Sequence, residues 1–176
     1  MTTPEPEPWL RGPIANIAPL LQPVAHAFMM ALEDGSAAAS SLSSEQLWLR
    51  PGGAASAGFH LMHLAGSTDR LLTYARGEIL SDAQHRALAT EQAIAQPPTS
   101  LDALLANWRV AVQKALTQLA ATPESTLVEP RFVGRARLPS TVLGLLFHAA
   151  EHAERHTGQL VTTAKIIRGL STQAGG

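Results

Sequence analysis

Apolar side chains recur along this chain with the period of a helix. From Ile14 to Leu32 they fall at positions 14, 17, 20, 21, 24, 25, 28, 29 and 32, a spacing that lays one stripe along one helical face. Pro19 and Pro23 interrupt its beginning. Proline suits only the first turn of a helix, so the regular part is expected to start near Pro19. The stretch EDGSAAASSLSSEQLWLRPGG is expected to be loop with one short turn of helix, ended by Pro51-Gly52-Gly53. A second helix is predicted from an N-cap at Ser56 to about Arg76, stopped by Gly77. A short connecting helix is expected over 81–95, capped by Ser81, before the break at Pro97-Pro98. Ser100 caps a third long helix, LDALLANWRVAVQKALTQLA, which ends before Pro123. LVEPRFVGRARLP alternates weakly around Gly134 and reads as a small hairpin or a loop. Ser140 is expected to cap a fourth long helix that runs to about Arg168 and stops at Gly169. Four long amphipathic helices, one short helix and long loops predict an all-α fold, an antiparallel four-helix bundle. It is expected to be one domain over 1–176, with an extended Pro-rich lead-in at 1–13 and a tail at 170–176.

Composition narrows the chemistry. Of 176 residues, 45% are apolar and 15% charged, the balance of a globular protein with its own core. The net charge is −1, so nothing draws the chain to phosphate backbones and no nucleic-acid partner is expected. Cysteine is absent, which excludes disulfides, thiolate metal ligands and a protein thiol nucleophile. The opening MTTPEPEPWL lacks the basic and apolar regions of a signal peptide. No apolar run approaches the ~20 residues that span a bilayer, so no membrane partner is expected and the cytoplasm is the expected location.

Candidate chemistry lies with histidine. Three of the seven histidines stand four apart in HAAEHAERHTGQL, at His148, His152 and His156. On a helix, residues i and i+4 are ~40° and ~6 Å apart, so two such rings reach one ion, whereas i and i+8 are ~12 Å apart. Either pair includes His152, and a third ligand must come from another helix. His60 and His63, three apart in GFHLMHLAGSTDRLLTYARG, are the candidates. The widest apolar face there holds Leu61, Leu64, Ala65, Leu71, Leu72 and Ala75, with His60 at its edge and His63 farther round, so periodicity leans towards His60. The competing role for any such ring is a hydrogen-bonded core residue. His148-Ala-Ala-Glu151-His152 has the HxxEH form of inverted zinc peptidases, but the short remainder of the chain offers only Glu154 as a further acidic ligand. No Glu-x-x-His occurs, so the di-iron pattern of ferritin-like bundles is excluded. Glu151 points ~100° away from His152 and reads as an ion-paired carboxylate. Asp69 and the single tyrosine, Tyr74, follow His63 on the same helix, and neither is assigned as a base.

SAGFHLMHLAGSTDRLLTYARG, followed far downstream by HAERHTGQL, resembles the DinB/YfiT-like superfamily of bacterial metal-binding four-helix bundles. Ser56, Gly58 and His63 fit the family's first motif, and His152, His156, Gly158 and Gln159 its second. PWLRGPIANIAPLLQPVAHAF looks like a variant of the family's opening, so the resemblance covers nearly the whole chain. It implies that His63, His152 and His156 bind one divalent metal, Zn, Ni or Fe. His60 and His148 become neighbours that orient ligands or only fill the core, and Gln159 can bond a ligand or cap a helix. Three imidazoles leave a coordination position open, where zinc lowers the pKa of water to about 7. Some members look like thiol-dependent S-transferases or isomerases. A thiol-dependent S-transferase or a hydrolase is therefore the expected activity, with a small-molecule substrate such as a low-molecular-weight thiol and a homodimeric assembly. The alternatives are a non-catalytic metal-binding or stress-response bundle and a plain helical bundle that binds no metal.

Overall fold

The computed structural model describes residues 5–92 and 99–174, with side chains through position 170. The expected break at Pro97-Pro98 and the end of the 81–95 segment lie outside the described residues. The chain is mostly helical: α1 Gln22–Ala39, α2 Ala57–Ala75, α3 Asp82–Gln92, α4 Leu101–Ala121 and α5 Val142–Ala174. β1 Pro130–Val133 and β2 Leu138–Thr141 form one antiparallel hairpin, pairing Pro130 with Thr141 and Val133 with Leu138. Among the described residues, no helix is long and apolar enough to cross a membrane.

Several ends follow the sequence. Ser56 Oγ accepts from Phe59 N–H at 3.2 Å and opens α2. Ser100 Oγ accepts from Ala103 N–H and opens α4. Ser81 and Gln84 cap α3 reciprocally: Ser81 Oγ accepts from Gln84 N–H, while Gln84 Oε1 accepts from Ser81 N–H, a capping box. α2 closes on Gly77, whose φ of 80° lets the Glu78 and Gly77 amides bond back to the Thr73 and Tyr74 carbonyls. The hairpin is formed rather than a loop, and Arg131 Nε donates to the Ala75 carbonyl at 2.8 Å, tying it to the end of α2.

Three boundaries differ from expectation. α1 runs through Asp34, Gly35 and Ser36 to Ala39, although this stretch reads as loop. Ala31, Gly35 and Ala39 are buried at four-residue steps, and a Cβ built on Gly35 would meet Thr157 at 3.7 Å and Trp108 at 3.9 Å. Packing of this small-residue face overrides the weak local propensity. α5 is opened by Thr141, whose Oγ1 accepts from Gly144 N–H at 3.0 Å. Ser140 lies one residue earlier in β2, paired with Arg131. α5 also continues past Gly169 to Ala174, into the segment expected as tail.

The four long helices share one core. α1 packs chiefly on α5 and α4, and α2 does the same from its own side. Phe28 of α1, Leu61 and Leu64 of α2, Trp108 of α4, and Leu146 and Leu160 of α5 are all fully buried. Each contributes about 1.5–3 kcal/mol relative to exposure. The short α3 rests on α2 and holds differently. Gln84 Nε2 donates to Asp69 Oδ2 at 2.6 Å and to Thr73 Oγ1 at 2.7 Å, and the buried residue of α3 is a carboxylate, Glu91. Asp69 thus serves this docking.

Candidate metal centre

α2 and α5 lie side by side, and their contact brings His63 against His152 and His156. One nitrogen from each of the three rings lies within 4.8 Å of the others. His63 Nε2 is 2.9 Å from His152 Nε2. The centres of the His63 and His152 rings lie 4.4 and 4.5 Å from that of His156. The four-residue step along α5 gives both of its rings one heading. His148, a further step back, is half exposed, and its Nδ1 sits 3.2 Å from Glu151 rather than in the cluster. Glu151 is tied to Arg155 at 2.6 Å as well, the ion-paired role expected of it.

Hydrogen bonds fix where the lone pairs point. His63 Nδ1 lies 3.0 Å from Glu91 Oε2. A carboxylate accepts, so this nitrogen carries a proton, and Nε2 is the nitrogen that faces the cluster. His152 Nδ1 is buried with no hydrogen-bond partner. His156 Nδ1 meets His60 Nδ1 at 3.1 Å. Phe59 stacks parallel to His63, 5.5 Å between ring centres.

Burial, reinforced by the charge of neighbouring imidazoles, lowers the pKa of His152 to about 4 and of His156 to about 3. His60 falls to about 4 for the same reasons. These rings are neutral at pH 7, the state that ligates a metal. The His63 and His152 nitrogens, 2.9 Å apart, stand at hydrogen-bond distance, so one ring's N–H or an ion shared by both satisfies them. Three imidazole nitrogens converging in a half-buried site, with no carboxylate or thiolate among them, could hold a metal ion.

His60 and His63 divide the two properties that periodicity assigned to one residue. His60 is the more buried, 4% exposed, and packs on His156 from outside the cluster. His63 supplies the converging nitrogen. Two cavities flank the site. One, of about 530 Å³, is walled by His60, Arg155 and Gln159; the other, of about 440 Å³, by Gly66, Asp69 and Glu91. Tyr74 lies away from the cluster, in a cavity by the hairpin.

Sequence reasoning missed Glu91 and its partner Arg70. Arg70 donates to Glu91 at 2.6 and 3.0 Å, and both are buried, at 8% and 5% exposure. Burial works against the Glu91 carboxylate, but hydrogen bonds from His63 and Arg70, with their charge, outweigh it and hold its pKa below the usual range. One signal was available: the 82–92 segment has too little apolar surface to dock by burial, so a polar anchor was required of it.

No curated protein matches the chain. The sequence profile of the DinB superfamily matches residues 28–160, a span that includes His63, Glu91, His152 and His156. With the family pattern running from within α1 to within α5, the chain belongs to the DinB superfamily.

Proposed function

We propose that this DinB protein is a metal-dependent enzyme built on an antiparallel four-helix bundle. His63, His152 and His156 hold one divalent ion, Zn, Ni or Fe, and its substrate is a small molecule. The observation that carries this is the convergence of three nitrogens within 4.8 Å of one another, from two helices, in half-buried rings. The acidic group nearest by bonding, Glu91, is engaged by the far nitrogen of His63 and so supports three protein ligands with a position left open, the pattern of catalytic rather than structural sites. A divalent ion held there supplies Lewis-acid chemistry to a water or thiol in that position.

The chain's own residues do the rest. Burial keeps His152 and His156 neutral and available, Glu91 accepts the proton of His63 Nδ1, and cavities lined by His60 and by Glu91 offer a substrate room next to the residues that back the cluster. The absence of cysteine makes any reacting thiol a cosubstrate, in keeping with an S-transferase; hydrolysis is the other chemistry that an open position serves. Exposed Leu20 and Phe147, beside one another at a shallow cavity, support a homodimer.

Metal analysis of untagged protein tests the reading. About one equivalent of divalent metal is expected in the wild type and little in His152→Ala. Equal metal content in both sinks the proposal. If metal is present, conjugation of low-molecular-weight thiols to electrophiles is the activity to screen, with ester and amide hydrolysis as the comparison.

A further inference from the structure

The buried ion pair between Arg70 of α2 and Glu91 of α3 does more than dock a helix. We infer that Glu91, clamped by Arg70 and seated over Gly66, is the positioning residue that sets the tautomer and heading of His63 for the metal. This role rests on the metal reading above. Glu91 Oε2 receives both His63 Nδ1–H at 3.0 Å and Arg70 at 3.0 Å, and Oε1 receives Arg70 at 2.6 Å. The carboxylate therefore has one seat. With the proton held on Nδ1, Nε2 is the only free nitrogen of His63, and it is the one facing His152. Partners of this kind on the far nitrogen of a ligand histidine raise its basicity and fix its ring.

Gly66 supplies a second, independent observation. A Cβ built at Gly66 would collide with Glu91 Oε1 and stand 2.8 Å from Arg70 Nη1. The colliding atoms are ends of flexible side chains rather than backbone. Gly66→Ala can thus fold, with the helix favoured by the added methyl, while pushing the carboxylate off its seat. His63, Gly66 and Arg70 follow one another at three and four residues along α2, one face presented to one carboxylate.

The experiment compares wild type, Glu91→Ala, Glu91→Gln and Gly66→Ala by Zn²⁺ competition with a chromophoric chelator. Long-range ¹H–¹⁵N NMR of the metal-free proteins reads the tautomer of His63. Zinc affinity is expected to fall about 10–100-fold in Glu91→Ala and Gly66→Ala, with His63 moving towards the Nε2–H tautomer. Glu91→Gln, which keeps an acceptor, should restore the Nδ1–H tautomer and most of the affinity. Glu91→Ala leaves the Arg70 charge unpaired; should it fail to fold, Gly66→Ala decides. Wild-type affinity and tautomer in Gly66→Ala and Glu91→Ala overturn this role alone. A wild-type protein that binds no zinc overturns it together with the metal reading.

Discussion

Lowering the pH should destabilise the metal-free protein well before its carboxylates titrate. His60, His152 and His156 have pKa values of about 4, 4 and 3 in the fold, against about 6.5 in the unfolded chain. The folded values are depressed, so between pH 6.5 and 4 the unfolded state binds more protons than the folded one. Stability therefore rises with pH across that window and is lost as pH falls through it. At pH 5.5 the folded rings are still neutral whatever their values below 5, so the cost depends only on the unfolded pKa. It is somewhat more than 1 kcal/mol per ring, or about 3 kcal/mol for the three once the partly exposed rings are discounted for screening. In a chain of this size that lowers Tm by about 6–12 °C. Glu154, whose pKa is raised by burial and by the charge of Asp34, acts in the opposite sense, and the window is chosen to stay above the usual carboxylate range. The assay is thermal unfolding by circular dichroism at pH 7.5 and 5.5, in chelator. His156→Phe should remove about a third of the difference. A Tm that is flat or rising towards pH 5.5 would refute the claim that these rings are held neutral by burial.

Three further outcomes test the packing and the caps. Gly58→Ala places a Cβ 2.5–2.7 Å from the Trp48 ring, so overpacking of about 1–3 kcal/mol should outweigh the helix gain of at most about 1 kcal/mol; urea unfolding with a higher midpoint than wild type would refute it. Thr141→Ala should cost about 1 kcal/mol by removing the α5 cap, while Ser140→Ala should be near neutral, and chemical denaturation of the two variants separates them. Arg155→Ala breaks an exposed pair with Glu151 and should leave Tm within about 2 °C; a fall of 5 °C by differential scanning fluorimetry would show that pair to be structurally important.

Local chemistry made much of the fold legible. Ser56, Ser81 and Ser100 marked helix starts because a short hydroxyl side chain at that position meets amides that the helix leaves unpaired. Gly77 marked an end because its backbone adopts a positive φ at little cost. The extension of α1 through Gly35 was not legible, since what holds it is contact with Trp108 and Thr157 far along the chain. Ser140 was the expected cap of α5, and Thr141 takes that place. Which of them serves depends on where the hairpin register ends, and that is a pairing between distant residues.

The same division runs through the site. The sequence by itself determined that a metal, if bound, takes nitrogen and oxygen ligands, because there is no cysteine. It also determined that His152 and one neighbour share a helical face, because a four-residue step is nearly one turn. Helical spacing left open which neighbour of His152, and which of His60 and His63, would join it. The motif resemblance pointed to His156 and His63. The tertiary structure brings one nitrogen of each of the three rings within 4.8 Å of the others, and it alone shows Glu91 behind His63. Periodicity reports which side of a helix is buried, and by that measure His60 ranks above His63. It carries no information on which partner helix lies opposite a given residue, or at what height along its axis, and those two quantities decide whether nitrogens from separate helices converge.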